Sequence, residues 1–273
     1  MKYVYVYYAL LSGLLAFMFY LGVKAYAQAL LYEEYTTELV SHQGVEAQAH
    51  LQLEKLAKSI LGGLYDDEMK VTLDKIRQKQ QVARLKAQEA TQYFMSTLLI
   101  IILFYFFISL RAFTLFGSLA AMITLLFGLI APILMVTIHK EVEYLGDIVL
   151  SFESKGVIGS IVKLWESGDL VVAGVILLFS VVTPILKILS LLFVSLFMES
   201  KFAHGIVKFF KMIGKWSMVD VFVVAVFLVY LTANKGDVSR AEVEVGLYFF
   251  LAYVIVSMLV SLSADRMLRE KAN

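Results

Sequence analysis

The chain is dominated by apolar runs that are too long and too numerous for a soluble core. Tyr3 to Val23, Phe94 to Ile138, Leu170 to Met198, Ser217 to Thr232 and Val245 to Ser263 are each nearly free of charge. A helix needs about 20 apolar residues to cross a bilayer. Phe94 to Ile138 is long enough for two such helices, and Ser109-Leu-Arg-Ala-Phe-Thr114 is its one break. The expected fold class is therefore an all-α integral membrane protein with six transmembrane helices. A hydrophobic content of 60% and a mean hydropathy of +0.79 place the chain in the same polytopic class.

Several function classes drop out. A net charge of +1 gives no sign of nucleic-acid binding, and zero cysteines exclude disulfides, cysteine zinc ribbons, iron–sulfur centres and thiol catalysis. No hydrolytic triad, phosphate loop or His-Glu-x-x-His motif is present, so neither an enzyme nor a cofactor is expected.

The charges between the runs suggest an orientation. Lys201, Lys208, Lys211 and Lys215 fill one loop without an acid, and Arg266, Arg269 and Lys271 crowd the tail. By the positive-inside rule both are cytoplasmic. Counting back through six spans puts Lys2 and Arg111 on the same side, and residues 24–92 and 139–169 outside. Both termini are therefore expected on the cytoplasmic side. Ala25-Tyr-Ala27 imitates a signal-peptidase site, but the preceding apolar run exceeds the usual signal-peptide length, so an uncleaved anchor is expected.

Lys24 to Gln92 is the one substantial polar region, rich in helix formers. Ala49, Leu53, Leu56 and Ile60 form one apolar seam. Met69, Leu73, Ile76, Gln80, Ala83, Ala87 and Ala90 form another, after a Gly62-Gly63 break. This spacing predicts an antiparallel helical hairpin, serving either as a solvated spacer or as a docking surface for a partner. Glu38, His42, Glu46, His50 and Glu54 are spaced like helical metal ligands. A row stepped by four drifts by about 40° per step, however, so the five cannot converge on one ion and a solvated face is expected. In the next loop, Glu141 to Phe152 alternates in an extended pattern, while Gly156 to Trp165 reads as a short amphipathic helix on the interface.

The chemistry-bearing residues lie inside the runs. In Ser180-Val-Val-Thr-Pro-Ile-Leu-Lys187, the residues Ser180, Thr183, Pro184 and Lys187 share one helical face. Pro184 removes a backbone donor and clashes with the carbonyl of Ser180, so a kink is expected there. Lys187 lies near the bilayer midplane, where a charge costs a few kcal/mol on insertion scales and marks a functional site by default. Ser217 and Asp220 open the fifth span, and Tyr253, Ser257 and Ser261 line one face of the sixth. Ser217-Met-Val-Asp220 also fits a capping box, and membrane serines often serve packing alone. A lysine among hydroxyls can relay protons or anchor a head group.

Three stretches carry a family resemblance. Gly159-Ser-Ile-Val-Lys-Leu-Trp165, the segment from Phe179 to Leu189 and Gly214-Lys-Trp-Ser-Met-Val-Asp-Val-Phe222 resemble the paraquat-inducible protein A family, over about Phe113 to Ala264. The resemblance implies a four-helix, tetraspanin-like module in residues 113–273, added here to a two-span unit in residues 1–112 that bears the hairpin. It also implies a bacterial inner-membrane location and lipid transport between bacterial membranes, with a mammalian-cell-entry (MCE) domain tunnel protein as partner and membrane phospholipid as cargo. The transport site would fall on Ser180, Lys187, Ser217 and Ser257. Two departures stand out: this chain has one module where well-known members have two, and it lacks their cysteine-rich zinc ribbons. A homo-oligomer would supply the missing copy. The alternative reading is a non-transporting sensor or scaffold that binds a periplasmic partner through the hairpin.

Overall fold

The structure is a computed structural model that describes residues 2–42, 68–142, 146–196 and 239–272. In chain order the elements are α1 (Lys2–His42), α2 (Glu68–Leu103), α3 (Leu110–Ile130), β1 (Leu134–Val142), β2 (Gly146–Lys155), α4 (Val157–Glu166), α5 (Leu170–Leu196), β3 (Ser239–Val243) and α6 (Val245–Ala272). Among the described residues five helices (α1, α2, α3, α5 and α6) are long and apolar enough to cross a membrane. The membrane part is all-helical, as expected. The expected span at 217–232 lies outside the described residues, and Ser217 and Asp220 lie there with it.

Helix α1 does not stop at the membrane edge but runs unbroken to His42, and α2 joins the polar region to the next span in the same way. The seam expected on the second hairpin helix is buried at Ile76, Ala83, Ala87 and Ala90, and it faces α1. On α1 the buried positions Leu11, Leu15, Met18, Gly22, Ala25, Ala29, Tyr32, Thr36 and Leu39 alternate by four and three. That is a heptad seam, and it passes from hydrocarbon into water without a break. The amide of Gln80 donates to the Thr36 hydroxyl at 2.8 Å, a polar layer that fixes the register of the antiparallel pair. The other expected seam, Ala49 to Ile60, lies outside the described residues.

Helices α3 and α6 also run antiparallel, at closer range. A Cβ added at Gly128 would fall 2.9 Å from the Phe250 Cα, and one at Gly117 would fall 2.7 Å from a Val260 methyl. Small residues allow this approach, which lets dispersion hold helices together where lipid offers no hydrophobic drive. The two helical pairs meet through aromatic rings. Phe94 packs edge-on to Phe249 at 4.7 Å and to Phe127 at 6.3 Å. Phe127 lies against Gly22, where a Cβ would come within 2.2 Å of its ring. The core is continuous across residue 112.

A small sheet caps one end. Pro132 restricts the residue before it, so Ala131 is extended (φ −75°, ψ 150°) and α3 stops there. The two prolines thus differ: Pro132 ends a helix, and Pro184 lies inside one. The strands pair antiparallel in the order β2-β1-β3. The extended pattern after residue 141 is the inner part of a longer β1–β2 hairpin. Residues 239–243, in the stretch between the last two apolar runs, form the third strand because β1 offers them a free edge. Met135 and Phe152 of the sheet pack with Tyr32 and Ala83 of the α1–α2 stem. Stem and sheet therefore share one end of the molecule.

Arg111, Arg266 and Arg269 gather at the other end. Arg111 donates to the carbonyls of Ser195 (2.9 Å) and Leu196 (3.1 Å), satisfying the C-terminal turn of α5. Arg266 donates to the Tyr105 hydroxyl at 2.8 Å. Which end faces the cytoplasm rests on the charge pattern.

The Phe127 wedge can be tested. Gly22→Ala is expected to lower the unfolding midpoint in detergent by the equivalent of about 1–3 kcal/mol, the usual cost of overpacking. Phe127→Leu in the same chain should recover most of that loss. An unchanged midpoint for Gly22→Ala alone would show that the contact is not tight.

Candidate functional site within the membrane

Helix α5 is not a regular α-helix. Residues Leu177–Val182 form a π turn between α-helical Leu170–Ile176 and Thr183–Leu196. Pro184 has no N–H to give to the Ser180 carbonyl, and its ring needs room there, so the backbone widens just ahead of it. The Thr183 N–H reaches back five residues to the Leu178 carbonyl. Its hydroxyl donates to the same oxygen at 2.8 Å. Thr183 thus closes the π turn and stays half-exposed, apart from the face it was expected to share.

That face is otherwise as expected. Ser180, Pro184 and Lys187 are buried, together with Ile188 and Leu191. Lys187 is 8% exposed, and its Nζ donates to the Ser257 hydroxyl at 3.1 Å. Ser257 is 1% exposed and in turn donates to the Val254 carbonyl at 2.9 Å. Ser257 lies roughly 12 residues, or about 18 Å, from both Val245 at the start of α6 and Arg269 near its other end. The Lys187 amine is therefore held about half-way along the apolar part of α6, at the contact between α5 and α6. Tyr253 is buried on the same face of α6 and packs against Phe250.

Polar residues on α3 were not expected from sequence. Thr114, Ser118 and Thr124 are fully buried. Each donates to a carbonyl four residues back, and the Thr114 hydroxyl also lies within hydrogen-bond distance of the Ser263 hydroxyl of α6, at 3.2 Å. They act as helix-packing groups, and their spacing along the small-residue face of α3 was the readable signal.

A second constellation lies where the sheet meets the stem. Glu242 of β3 accepts from the Tyr32 hydroxyl at 3.2 Å and pairs with Arg84 of α2 at 3.1 Å. The Arg84 guanidinium also lies 5.8 Å from the Tyr32 ring centre. Two residues on, Glu244 is 7% exposed at the start of α6. Burial pushes its carboxyl up to about 7; Arg84 opposes this and the Glu242 and Glu33 charges add to it. Sequence reading passed over both acids as loop residues, although Glu242-Val-Glu244 directly before an apolar run was the available signal. Among the described residues no group of three or more acids or histidines is placed to hold a metal. In the row from Glu38 to Glu54, only the Glu38 side chain is described, and it is exposed.

With this geometry in place, the comparisons are decisive on kinship. A family model of paraquat-inducible protein A matches residues 112–269, more than half of the chain. The chain belongs to that family. The match takes in α3, α5 and α6 and with them Lys187 and Ser257, but neither α1 nor α2. Over 115 residues the chain is 28% identical to the protein named intermembrane transport protein PqiA in Escherichia coli K12, covering 40% of this chain and 27% of that one. The Haemophilus influenzae protein named probable intermembrane transport protein is 29% identical over 114 residues, with the same shares covered. This chain thus aligns with about a quarter of the length of these curated relatives. No solved structure matches it.

The buried Glu244 carboxyl makes stability depend on pH. Its folded value lies above its ordinary one, so the folded state binds the proton more tightly than the unfolded chain. Stability should fall as pH rises from about 4.5 to about 7 and level off above, by on the order of 3 kcal/mol. Thermal melts in detergent between these limits should show this slope in the parent and a flatter one in Glu244→Gln. Parallel slopes would remove Glu244 as the cause.

Proposed function

We propose that this protein is the inner-membrane component of a lipid transport system, and that the Lys187–Ser257 seam holds a phospholipid head group while the acyl chains face the bilayer. The observation that carries this reading is the buried Lys187 amine, hydrogen-bonded across the α5–α6 contact beside a π turn. Intramembrane charges and π turns both concentrate at functional sites. A head-group phosphate is an anion with several acceptor oxygens, which suits an ammonium flanked by hydroxyls. Ser180 would line the same path, with Ser217 and Asp220 as further candidates. Relatives in this family carry intermembrane transport in their names, which supports the transport class. The partner would be an MCE tunnel protein on the far side of the membrane, met at the end where stem and sheet stand. A second copy of the chain would supply the module that longer relatives carry in one polypeptide.

The test is transport in a cell that depends on this protein. Lys187→Met should reduce lipid transfer between the two membranes at least about tenfold, the equivalent of 1.4 kcal/mol. Ser257→Ala should give a smaller loss. Lys187→Met should not lower the melting midpoint of the purified protein, because replacing a buried charge with a well-packed apolar chain is often neutral or stabilising. Ser257→Ala removes an acceptor from the buried lysine and should lower the midpoint modestly. Normal lipid distribution with Lys187→Met, together with lost function on deletion of the stem, would establish the scaffold reading instead.

A further inference from the structure

The α1–α2 stem has two flanks, and only one is covered by the sheet. Glu33 and Arg84 each follow a seam residue by one position and so turn about 100° toward the sheet side. On the other flank an open cleft runs between the helices. Gln28, Leu31 and Tyr35 line it from α1, and Lys75, Lys79 and Lys86 line it from α2, with Val82 in its floor. Among the described residues the lining holds three cations and no carboxylate. Glu34 and Glu38 on α1 and Glu89 on α2, three residues past Leu31, Tyr35 and Lys86 respectively, are among the acids that stand nearest to it.

The lysines form a ladder of known direction. Gln80 opposite Thr36 sets the register, so Lys86 stands opposite the turn at Leu30 and Leu31. That level is about 10 Å beyond Val23, where the apolar run ends, and falls within the head-group layer. Lys79 is next, its Nζ 5.9 Å from the Tyr35 ring centre. Lys75 is the outermost, about 16 Å beyond Lys86. Cations thus climb out of the head-group plane along a floor made by Leu31, Tyr35 and Val82.

We infer that this cleft binds the phosphate-bearing head group of an anionic phospholipid as the lipid leaves the outer surface of the membrane. Charge complementarity selects the anion. The apolar floor and the start at head-group level select a lipid over a soluble acidic segment. The inference rests on the transport reading for the purpose of the cleft, while the binding itself is independent of it.

The experiment titrates the full chain, held in phosphatidylcholine nanodiscs, with monomeric dihexanoyl phosphatidylglycerol. Lys79→Glu should weaken binding by at least about tenfold, since one lysine near an anionic surface contributes about a factor of five and charge reversal squares that factor. Arg77→Glu is the matched control. It makes the same charge change at an exposed stem residue that is not part of the cleft lining, and should leave binding within about twofold. Dihexanoyl phosphatidylcholine should bind more weakly than the glycerol lipid. Equal losses in the two variants, or no loss in Lys79→Glu, would overturn the inference. So would inorganic phosphate competing as well as the lipid, or a glutamate-rich helical peptide binding in the lipid's place. Lys187→Met separates the two proposals. Retained cleft binding with normal transport would end the midplane reading alone, and lost cleft binding in Lys79→Glu with unchanged transport would leave the cleft without its purpose.

Discussion

An ammonium group in hydrocarbon must be solvated by protein, and much of the membrane domain is arranged to satisfy that constraint. A lysine at the centre of a spanning helix costs roughly 2.5–3.5 kcal/mol on insertion scales. Ser257 supplies part of the compensation, and it can do so because α5 and α6 lie within side-chain reach of each other. Helix α6 is in turn held against α3 by close contacts at Gly117 and Gly128 that leave little room for error. Below the pair, Arg111 ties the last carbonyls of α5 to the start of α3. Above it, the π turn before Pro184 loosens the regular backbone ladder. The seam is thus clamped on its arginine side and irregular on the side that faces the sheet.

The segment outside the family match is not an appendage. Phe127 of α3 seats against Gly22 of α1, and Phe94 of α2 seats against Phe249 of α6, so both helical pairs share one core. Because α1 and α2 leave the membrane without a break, the stem is mechanically continuous with that core. The sheet closes the arrangement by joining the end of α3 and the start of α6 to the stem through Met135, Tyr32 and Glu242. A displacement of the stem therefore has a short physical route to α6, the helix that carries Ser257.

Much of this was readable in the residues. Apolar runs marked the spanning helices, and the Ser109 break marked the tight turn, where its hydroxyl caps α3. Gly156 to Trp165 forms the short helix, with Ile158, Val162 and Trp165 exposed along one face. Lys187 was legible because a charge in hydrocarbon is rare. Its bond to Ser257 was not, since helix spacing tells which residues share a face but not which faces meet. The strand at Ser239–Val243 was hidden for a related reason: five residues with two charges become a strand only because β1 presents an edge. The continuity of α1 was missed because the change from apolar to polar residues at Lys24 imitates a helix end, while the heptad positions beneath it continue unchanged.

The most direct test of a head group at mid-depth is photo-labelling with a phospholipid that carries its diazirine on the head group, mapped by peptide mass spectrometry. Adducts are expected on α5 around Ser180 to Lys187 and on α6 around Tyr253 to Ser257, and they should disappear in Lys187→Met. A lipid with its diazirine at the acyl terminus should label the outward faces equally in both proteins. Head-group adducts confined to the ends of the helices, or unchanged by Lys187→Met, would contradict a lipid-handling role for the seam.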